Sequence, residues 1–470
     1  TQQGVDMKRY DNNLIETIRN KADLLELMSD YTRLEGGRKG HWAICPFHGE
    51  RTASLHLEPR KGVYYCHGCQ AKGDIFTVPM VLDGLSFGES VRHVAERFGV
   101  PVEDEDVDEK VQLQYRMRRA LELAEEHFHN KLWCHPDKVE AFESRGVSVE
   151  MMKEWRLGYS PRGDSDLIQS LRKAQLFDAA IEAGIIADGQ HGPYSKFSNR
   201  LVFPIKSKTG KTVTFAGRSL DPNAKAKYIN GKETSLYNKS STLFGLHKSL
   251  KGIRENDSII IVEGYFDAIL MHREGYTETV ATCGTALTKE MVKSFYRLTK
   301  KAVVFFDSDP AGKRAAIKAL PVFAHYGVDA TRAYLEDGTD PADVCVSRDA
   351  NTLIDSLESD KPLMEIWLHD LSSSFPKTPS GRQEAALAVK PVVNSYKGVA
   401  KDMVLRSAAN VLGVSPEALK GLVSQARVVG MDKPEERKPD PLAMALARVC
   451  IAKPADVPAI KSKIKYKWFD

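Results

Sequence analysis

Four short apolar runs, each followed by a helix-like segment, dominate residues 257–335: SIIIVEG, ETVATCG, KAVVFFD and DATRAYL. Apolar strands alternating with helices require a mostly parallel sheet with both faces covered, because a strand with one wet face would alternate polar and apolar residues. In an open sheet of that kind ligands gather outside the carboxyl ends of the strands. The first run ends at Glu263 and the third at Asp307 and Asp309, so these three carboxylates are expected to share one crevice. The loop LEDGTDPAD places Asp337, Asp340 and Asp343 after the fourth run. Carboxylates so grouped repel one another unless a hard divalent cation neutralises them, and Mg2+ held by a few carboxylates and phosphate oxygens suits the set. Helix capping is the competing reading, since Asp309 stands before Pro310.

A second constellation lies near the amino terminus. CPFH at 45–48 and CHGC at 66–69 put Cys45, His48, Cys66 and Cys69 into two knuckles, a spacing suited to a closed tetrahedral Zn2+ site with no open position for chemistry. Such a site is structural, fixing a small ribbon with too little core to fold alone. His67 lies close enough to be a rival ligand. Around the knuckles stand Arg33, Arg38, Lys39, Arg51, Arg60, Lys61 and Lys72, with Trp42, Phe47, Tyr64 and Tyr65 among them. Basic residues mixed with rings suit a single strand, where cations follow phosphate and rings stack on bases. An aromatic mini-core under a solvated basic surface fits the same residues.

The remaining sequence divides around these two sites. We expect a zinc ribbon at 11–100, an acidic linker at 101–112 (PVEDEDVDEK carries six acids), and a basic α+β region at 113–256. The parallel-sheet region spans 257–360 and a helical region 361–427. A linker rich in proline and charge covers 428–441, with a short segment at 442–470. The fold class is thus α+β and multidomain. Arg145, Arg200, Lys206, Arg218, Lys225, Lys227 and Lys239 crowd the basic region, as phosphate contacts would. KTGKT at 208–212 resembles part of a phosphate loop but lacks the earlier glycine, Ile205 standing there. A net charge of +4 is too small to argue for a polyanion by itself. The seven cysteines suit a reducing compartment, with Cys134, Cys283, Cys345 and Cys450 expected as small core residues. No run reaches the length of a membrane span, and a cytoplasmic protein is expected.

At this point the motifs, taken in order, resemble the DnaG-type primases of bacteria and phages over about residues 11–426. CPFHGERTASLHL and YYCHGCQAKGD are similar to their zinc-binding domain. SRGVSVEMMKEWRLGYSP, NRLVFPI, VTFAGRSL and KYINGKETSLYNKSSTLFGL resemble the first part of their polymerase domain. VEGYFDAI, CGTALT, FFDSDPAGKRAA and DGTDPAD resemble their Toprim motifs. The resemblance implies an enzyme that starts RNA chains on single-stranded DNA from ribonucleoside triphosphates, giving an RNA–DNA hybrid. It implies Mg2+ or Mn2+ on Glu263, Asp307, Asp309 and Asp340, with Asp267 and Asp343 as lesser candidates. Arg145, Arg200, Arg218, Lys227 and Lys239 would contact nucleotide or template, and Cys45, His48, Cys66 and Cys69 would bind zinc. A replicative helicase is the implied partner, although 442–470 is short for the family's helicase-binding domain. Ser308 stands where the family often has glycine, and Ala342 where it often has an acid. A Toprim nuclease or topoisomerase, and a noncatalytic strand-binding adaptor, are the rival functions.

Overall fold

The computed structural model describes residues 12–37, 40–48, 52–82, 85, 87–102, 109–189, 192–335 and 339–424. Arg38, Lys39, Arg51, Asp337, Cys450, residues 103–108 of the acidic linker and the expected linker and tail after 427 lie outside them.

Two helices, Asn12–Lys21 and Leu24–Ser29, lead into the ribbon, the second started by Asp23 accepting the amides of Leu25 and Glu26. Five short strands then pair antiparallel in chain order: β1 (Leu34–Gly37), β2 (Gly40–Ala43), β3 (Leu55–Glu58), β4 (Val63–Cys66) and β5 (Lys72–Asp74). In β4 the alternation is complete, with Tyr64 and Cys66 buried and Val63 and Tyr65 exposed. One face therefore closes on a small core with Phe76, Val91 and Val94, and the other stays wet.

The middle region sets the helix Glu109–Trp133 against an antiparallel sheet. Its strands are β6 (Gly158–Ser160), the separate hairpin β7 (Ile186–Gly189) and β8 (Gly192–Ser195), then β9 (Arg200–Lys206), β10 (Thr212–Ser219) and β11 (Tyr228–Asn230). The sheet order is β11–β10–β9–β6. β9 reads as almost continuously apolar because both faces are covered. Val202 joins Phe128 and Phe215 beneath the long helix, whereas Leu201, Phe203 and Ile205 pack with Phe266 and Ile269 of the next region. The tempting 208–211 segment is the β9–β10 hairpin turn, closed by Ser207 N–H on the Lys211 carbonyl at 2.8 Å.

The third region holds β12 (Ile259–Val262), β13 (Thr279–Ala281), β14 (Lys301–Val304), β15 (Asp329–Arg332) and β16 (Lys361–Pro362) in the order β13–β12–β14–β15–β16. The first four run parallel, as the apolar runs require. β16 corrects the expectation that the helical region begins at 361: Lys361 and Pro362 pair antiparallel with Arg332 and Thr331. An outer edge is where proline, with no N–H to donate, can join a sheet. Helices Leu363–Ser374, Pro379–Ser395, Gly398–Leu412 and Pro416–Ser424 follow and share one core with Ala316, Leu320 and Phe323 of Pro310–Tyr326. The helical region is thus packed onto the sheet's own cover helix.

The ribbon meets the rest of the chain through polar contacts. Arg254 donates to the Ser29 carbonyl, Lys208 lies 5.3 Å from the Tyr31 ring centroid, Lys211 lies 3.2 Å from Glu96, and Arg33 lies 3.9 Å from Asp257. Asp257 precedes β12, so this contact is at the amino ends of the parallel strands, opposite the carboxyl ends that carry the acids. Cys345 is buried as expected, but Cys134 is exposed, where the long helix gives way to the turn before Pro136, and Cys283 is half-buried. No helix among the described residues is long and apolar enough to cross a membrane.

Candidate metal centres and nucleic-acid interface

In the ribbon, Cys45 Sγ lies 3.8 Å from Cys69 Sγ, and Cys66 Sγ lies 3.7 Å from His48 Nδ1. All four donor atoms are within 4.8 Å of one another. A tetrahedral ion with metal–sulfur bonds of ~2.3 Å has sulfur–sulfur edges of about 3.8 Å, so the donors fit Zn2+ as they stand. The Ser54 hydroxyl at 3.1 Å and the Cys69 amide at 3.3 Å bond to Cys66 Sγ. Burial pushes that thiol up, but these bonds outweigh it and bring it down to about 7, favouring the thiolate a metal needs. Gly68 lets the second knuckle close, since a Cβ there would sit 2.7 Å from His48 Nε2. His67 is no part of the set; it stacks on Trp42 at 5.5 Å and meets the Tyr65 ring edge-on at 5.0 Å.

The ribbon's aromatic residues divide between the two readings made from sequence. Phe47 and Tyr64 stack on each other at 4.9 Å on the inner side. Strand register instead lines up Glu35, Trp42, His56, Tyr65 and Lys72 across all five strands, with Trp42 and His56 rings 4.9 Å apart. Tyr65 is 40% exposed in this row. Rings presented side by side to solvent, ending in a lysine, form a surface on which bases can stack.

At the other centre, the strand order puts the switch point between β12 and β14, because β13 lies to one side of β12 and β14 to the other. Glu263 follows the end of β12 and Asp307 the end of β14, and the two strands are hydrogen-bonded neighbours. Asp309 and Asp340 both cap helices as well, accepting the amides of Gly312 at 2.6 Å and Asp343 at 2.7 Å. The capping reading is therefore also fulfilled, and each carboxylate keeps a second oxygen. Gly312 is required here: a Cβ would lie 2.2 Å from the Asp307 carbonyl oxygen. Ser308 accepts the Leu335 amide at 3.0 Å, tying the Asp307–Asp309 turn to the next loop.

The crevice carboxylates feel one another. Burial first, and then the charges of Asp307 and Asp309, raise Glu263 above the ordinary range. Burial followed by Asp340 and Asp309 raises Asp307, and burial with Asp343 raises Asp340, which Lys227 opposes. Asp267, 6% exposed, accepts the Gly264 amide at 2.8 Å; burial and then Asp340 push it to about 7. Asp343 is exposed at the rim. Unlike the ribbon's sulfurs, these oxygens form no close-set group of three among the described residues. Spread, mutually repelling carboxylates at a strand switch point fit a divalent cation by charge and donor type.

One of the expected cations, Arg145, lies within the fields of crevice acids, and Arg218 shares its aromatic ring. Arg218 is 7% exposed and lies between Tyr228 and Phe266, at 5.1 and 5.3 Å, while donating to the Tyr228 hydroxyl at 2.6 Å. Arg145 lies 5.3 Å from the same Phe266 ring, within the fields of Arg218, Asp340 and Asp343. Lys227 is exposed and acts on Asp340; Lys239 is half-buried near Cys283. Arg200 instead braces a loop, its Nη1 reaching the carbonyls of Ala226 at 3.0 Å and Lys227 at 3.3 Å. Lys206 corrects the sequence reading: it pairs with Glu125 at 2.8 Å beneath the long helix. Lys225 is exposed on the braced loop. Sequence reasoning missed Phe266, which both arginines share, and Tyr228, which holds Arg218, although YF directly after a strand-end Glu-Gly was a visible signal.

The matches to known families follow this division of the chain. Residues 10–110 match the CHC2 zinc finger, 127–250 the N-terminal domain of the DNA primase catalytic core, and 260–345 a Toprim-like family. A DNA primase of Legionella pneumophila is 30% identical over 92% of this chain and 76% of its own length. The chain belongs to the DnaG-type DNA primase family. A Pseudomonas putida DNA primase is also 30% identical over 88% of the chain, which spans 65% of that relative's length. The Aquifex aeolicus primase structure, comprising zinc-binding and RNA polymerase domains, is similar with a TM-score of 0.59 and 26% identity. That likeness covers 86% of this primase-family chain and 98% of the Aquifex chain. A zinc ribbon, a primase core and a Toprim sheet are thus the fold, and the ribbon's Cys/His set is that of a zinc finger.

Proposed function

We propose that this chain synthesises RNA primers de novo on single-stranded DNA from ribonucleoside triphosphates, by nucleotidyl transfer at the carboxylate crevice. The observation that supports this reading is Arg145, on the Phe266 ring it shares with Arg218, lying within the fields of the crevice acids Asp340 and Asp343. Glu263, Asp307, Asp309 and Asp340 would hold Mg2+ or Mn2+, which when bound neutralises the developing charge of phosphoryl transfer and lowers the pKa of the attacking hydroxyl. Arg218, held by Tyr228 and Phe266, keeps a fixed guanidinium plane, and Arg145 presents a second from the same ring. Two planar forks suit the oxygens of a triphosphate or a template backbone. Lys227 and Lys239 extend the positive rim, and Arg200 fixes the Lys227 loop. The exposed ribbon row holds template bases by stacking, and Cys45, His48, Cys66 and Cys69 keep that row flat through zinc. A separate replicative helicase is the partner for unwinding in this reading. The whole reading places the chain in the cytoplasm.

Zinc-loaded protein, single-stranded DNA templates, labelled ribonucleotides and Mg2+ or Mn2+, resolved on a denaturing gel beside Asp307→Asn, test this. Short template-dependent RNAs from the parent protein and none from the variant are expected. Cut template, or strand binding without synthesis, would overturn the reading in favour of a nuclease or an adaptor.

A further inference from the structure

Among the described residues, the largest fully buried side chain outside the aromatic and aliphatic core is Arg332, the last residue of β15, at 1% exposure. Its Nη2 donates to the Asp307 carbonyl at 3.0 Å, and its guanidinium carbon lies 4.8 Å from the Tyr334 ring centroid. Nε and Nη1 are buried with no acceptor, and Glu263 Oε1, also buried, has no donor. A buried guanidinium with two unanswered donors costs several kcal/mol unless a field offsets it. Burial dominates, and Tyr334 and then the carboxylates of Glu263 and Asp309 offset part of it. Other cations nearby are differently placed: Lys313 is 2.8 Å from Asp370, and Lys227 acts on Asp340 from an exposed loop.

We propose that Arg332 is a built-in counter-ion of the carboxylate crevice, a positioning residue that fixes Asp307 through its backbone and offsets the repulsion of Glu263 and Asp309 while no divalent cation is bound. This rests on the reading of the crevice as a cation site. A fixed positive charge behind the ligands also opposes an incoming cation, so Arg332 loosens metal binding in exchange for a pre-formed site. The two effects have opposite signs in one substitution. Arg332→Met lowers the stability of the metal-free protein and tightens divalent-ion binding; a plain packing role would lower stability alone.

The test uses zinc-loaded protein, with Mn2+ as the probe, read by calorimetric titration and by melting with and without Mn2+. Arg332→Met should bind Mn2+ roughly three- to ten-fold more tightly than the parent and gain more melting temperature from it. Arg332→Lys, which keeps the charge, should stay within about two-fold of the parent. Should the Met protein not fold, Arg332→Gln replaces it, with the same expectation. Equal losses of melting temperature with and without Mn2+, at unchanged affinity, would overturn the counter-ion role. If the parent itself shows no Mn2+ binding that Asp307→Asn removes, the cation-site reading fails instead.

Discussion

The ribbon's knuckles and the Toprim crevice each gather four residues of metal-binding type, and the two groups hold themselves in opposite ways. Cys45, His48, Cys66 and Cys69 have already converged to the edge lengths of a tetrahedron. Thiols and imidazole can approach while neutral, and the short strands that carry them need the metal to close the fold. Glu263, Asp307, Asp309 and Asp340 stay apart, raise one another's proton affinity where shifts are resolved, and are steadied by helix amides and by Arg332. Their framework is an apolar parallel sheet that stands without them. A closed shell of sulfur and nitrogen serves architecture; an open one of carboxylates keeps room for substrate oxygens.

The largest effect should come from breaking the ribbon's shell. Cys66→Ser, or strong chelation, should unfold the ribbon while the rest of the chain keeps its own melting transition, because the contacts between them are polar and few. Calorimetry of the parent and variant checks this, and one merged transition falling as a whole would show that the ribbon is not a separate folding unit. On the crevice side, Gly312→Ala should cost on the order of 100-fold or more in primer synthesis, since its Cβ meets a backbone oxygen that cannot swing aside. Zinc content and strand binding should stay at parent levels.

How much of this contrast could be read beforehand depended on whether a residue's job is local. The knuckle ligands, the strand-end acids and the parallel sheet follow from spacing and apolar runs, which act over a few residues. Arg332 was hidden because a single arginine in DATRAYL looks like a strand end reaching solvent, and its burial depends on the covering layers. Composition groups Arg200 and Lys206 with the phosphate contacts, yet loop carbonyls and Glu125, 81 residues earlier, take their hydrogen bonds. Phe47 and Tyr64 separate from Trp42 and Tyr65 once register assigns faces, and register emerges only when strands pair.

Proton linkage gives a finer test of the charged side. Asp267 sits near 7 in the folded chain against an ordinary value of 3.8, because it is buried among other acids. A folded state that holds a proton more tightly is fully favoured below pH ~4 and loses that advantage as pH rises through ~7. In chelator, with the transition of the chain outside the ribbon followed from pH 5 to 8, Asp267→Asn should flatten the decline by up to about 1.4 kcal/mol per pH unit. The Asn carbonyl oxygen can still accept the Gly264 amide, so the turn is kept. An unchanged slope would assign the pH dependence to Glu263, Asp307 and Asp340 alone.

The smallest effect concerns the wet face of the ribbon and decides whether its metal serves recognition or only folding. Tyr65 meets His67 by its edge and is 40% exposed, so Tyr65→Ala should leave zinc content and melting near parent values. If bases stack along the row, single-strand affinity should fall by about 1 kcal/mol, near the low end for one ring, and Trp42→Ala should fall further because Trp42 meets two neighbours. Fluorescence anisotropy with an oligodeoxynucleotide at fixed salt reads both. Tyr65→Phe separates the causes: retained affinity means the ring face is what binds, whereas loss equal to that of alanine means the hydroxyl does. Were neither alanine to matter, the ribbon's contribution would rest on Arg60, Lys61 and Lys72, and affinity would then fall with salt far more steeply than with ring removal.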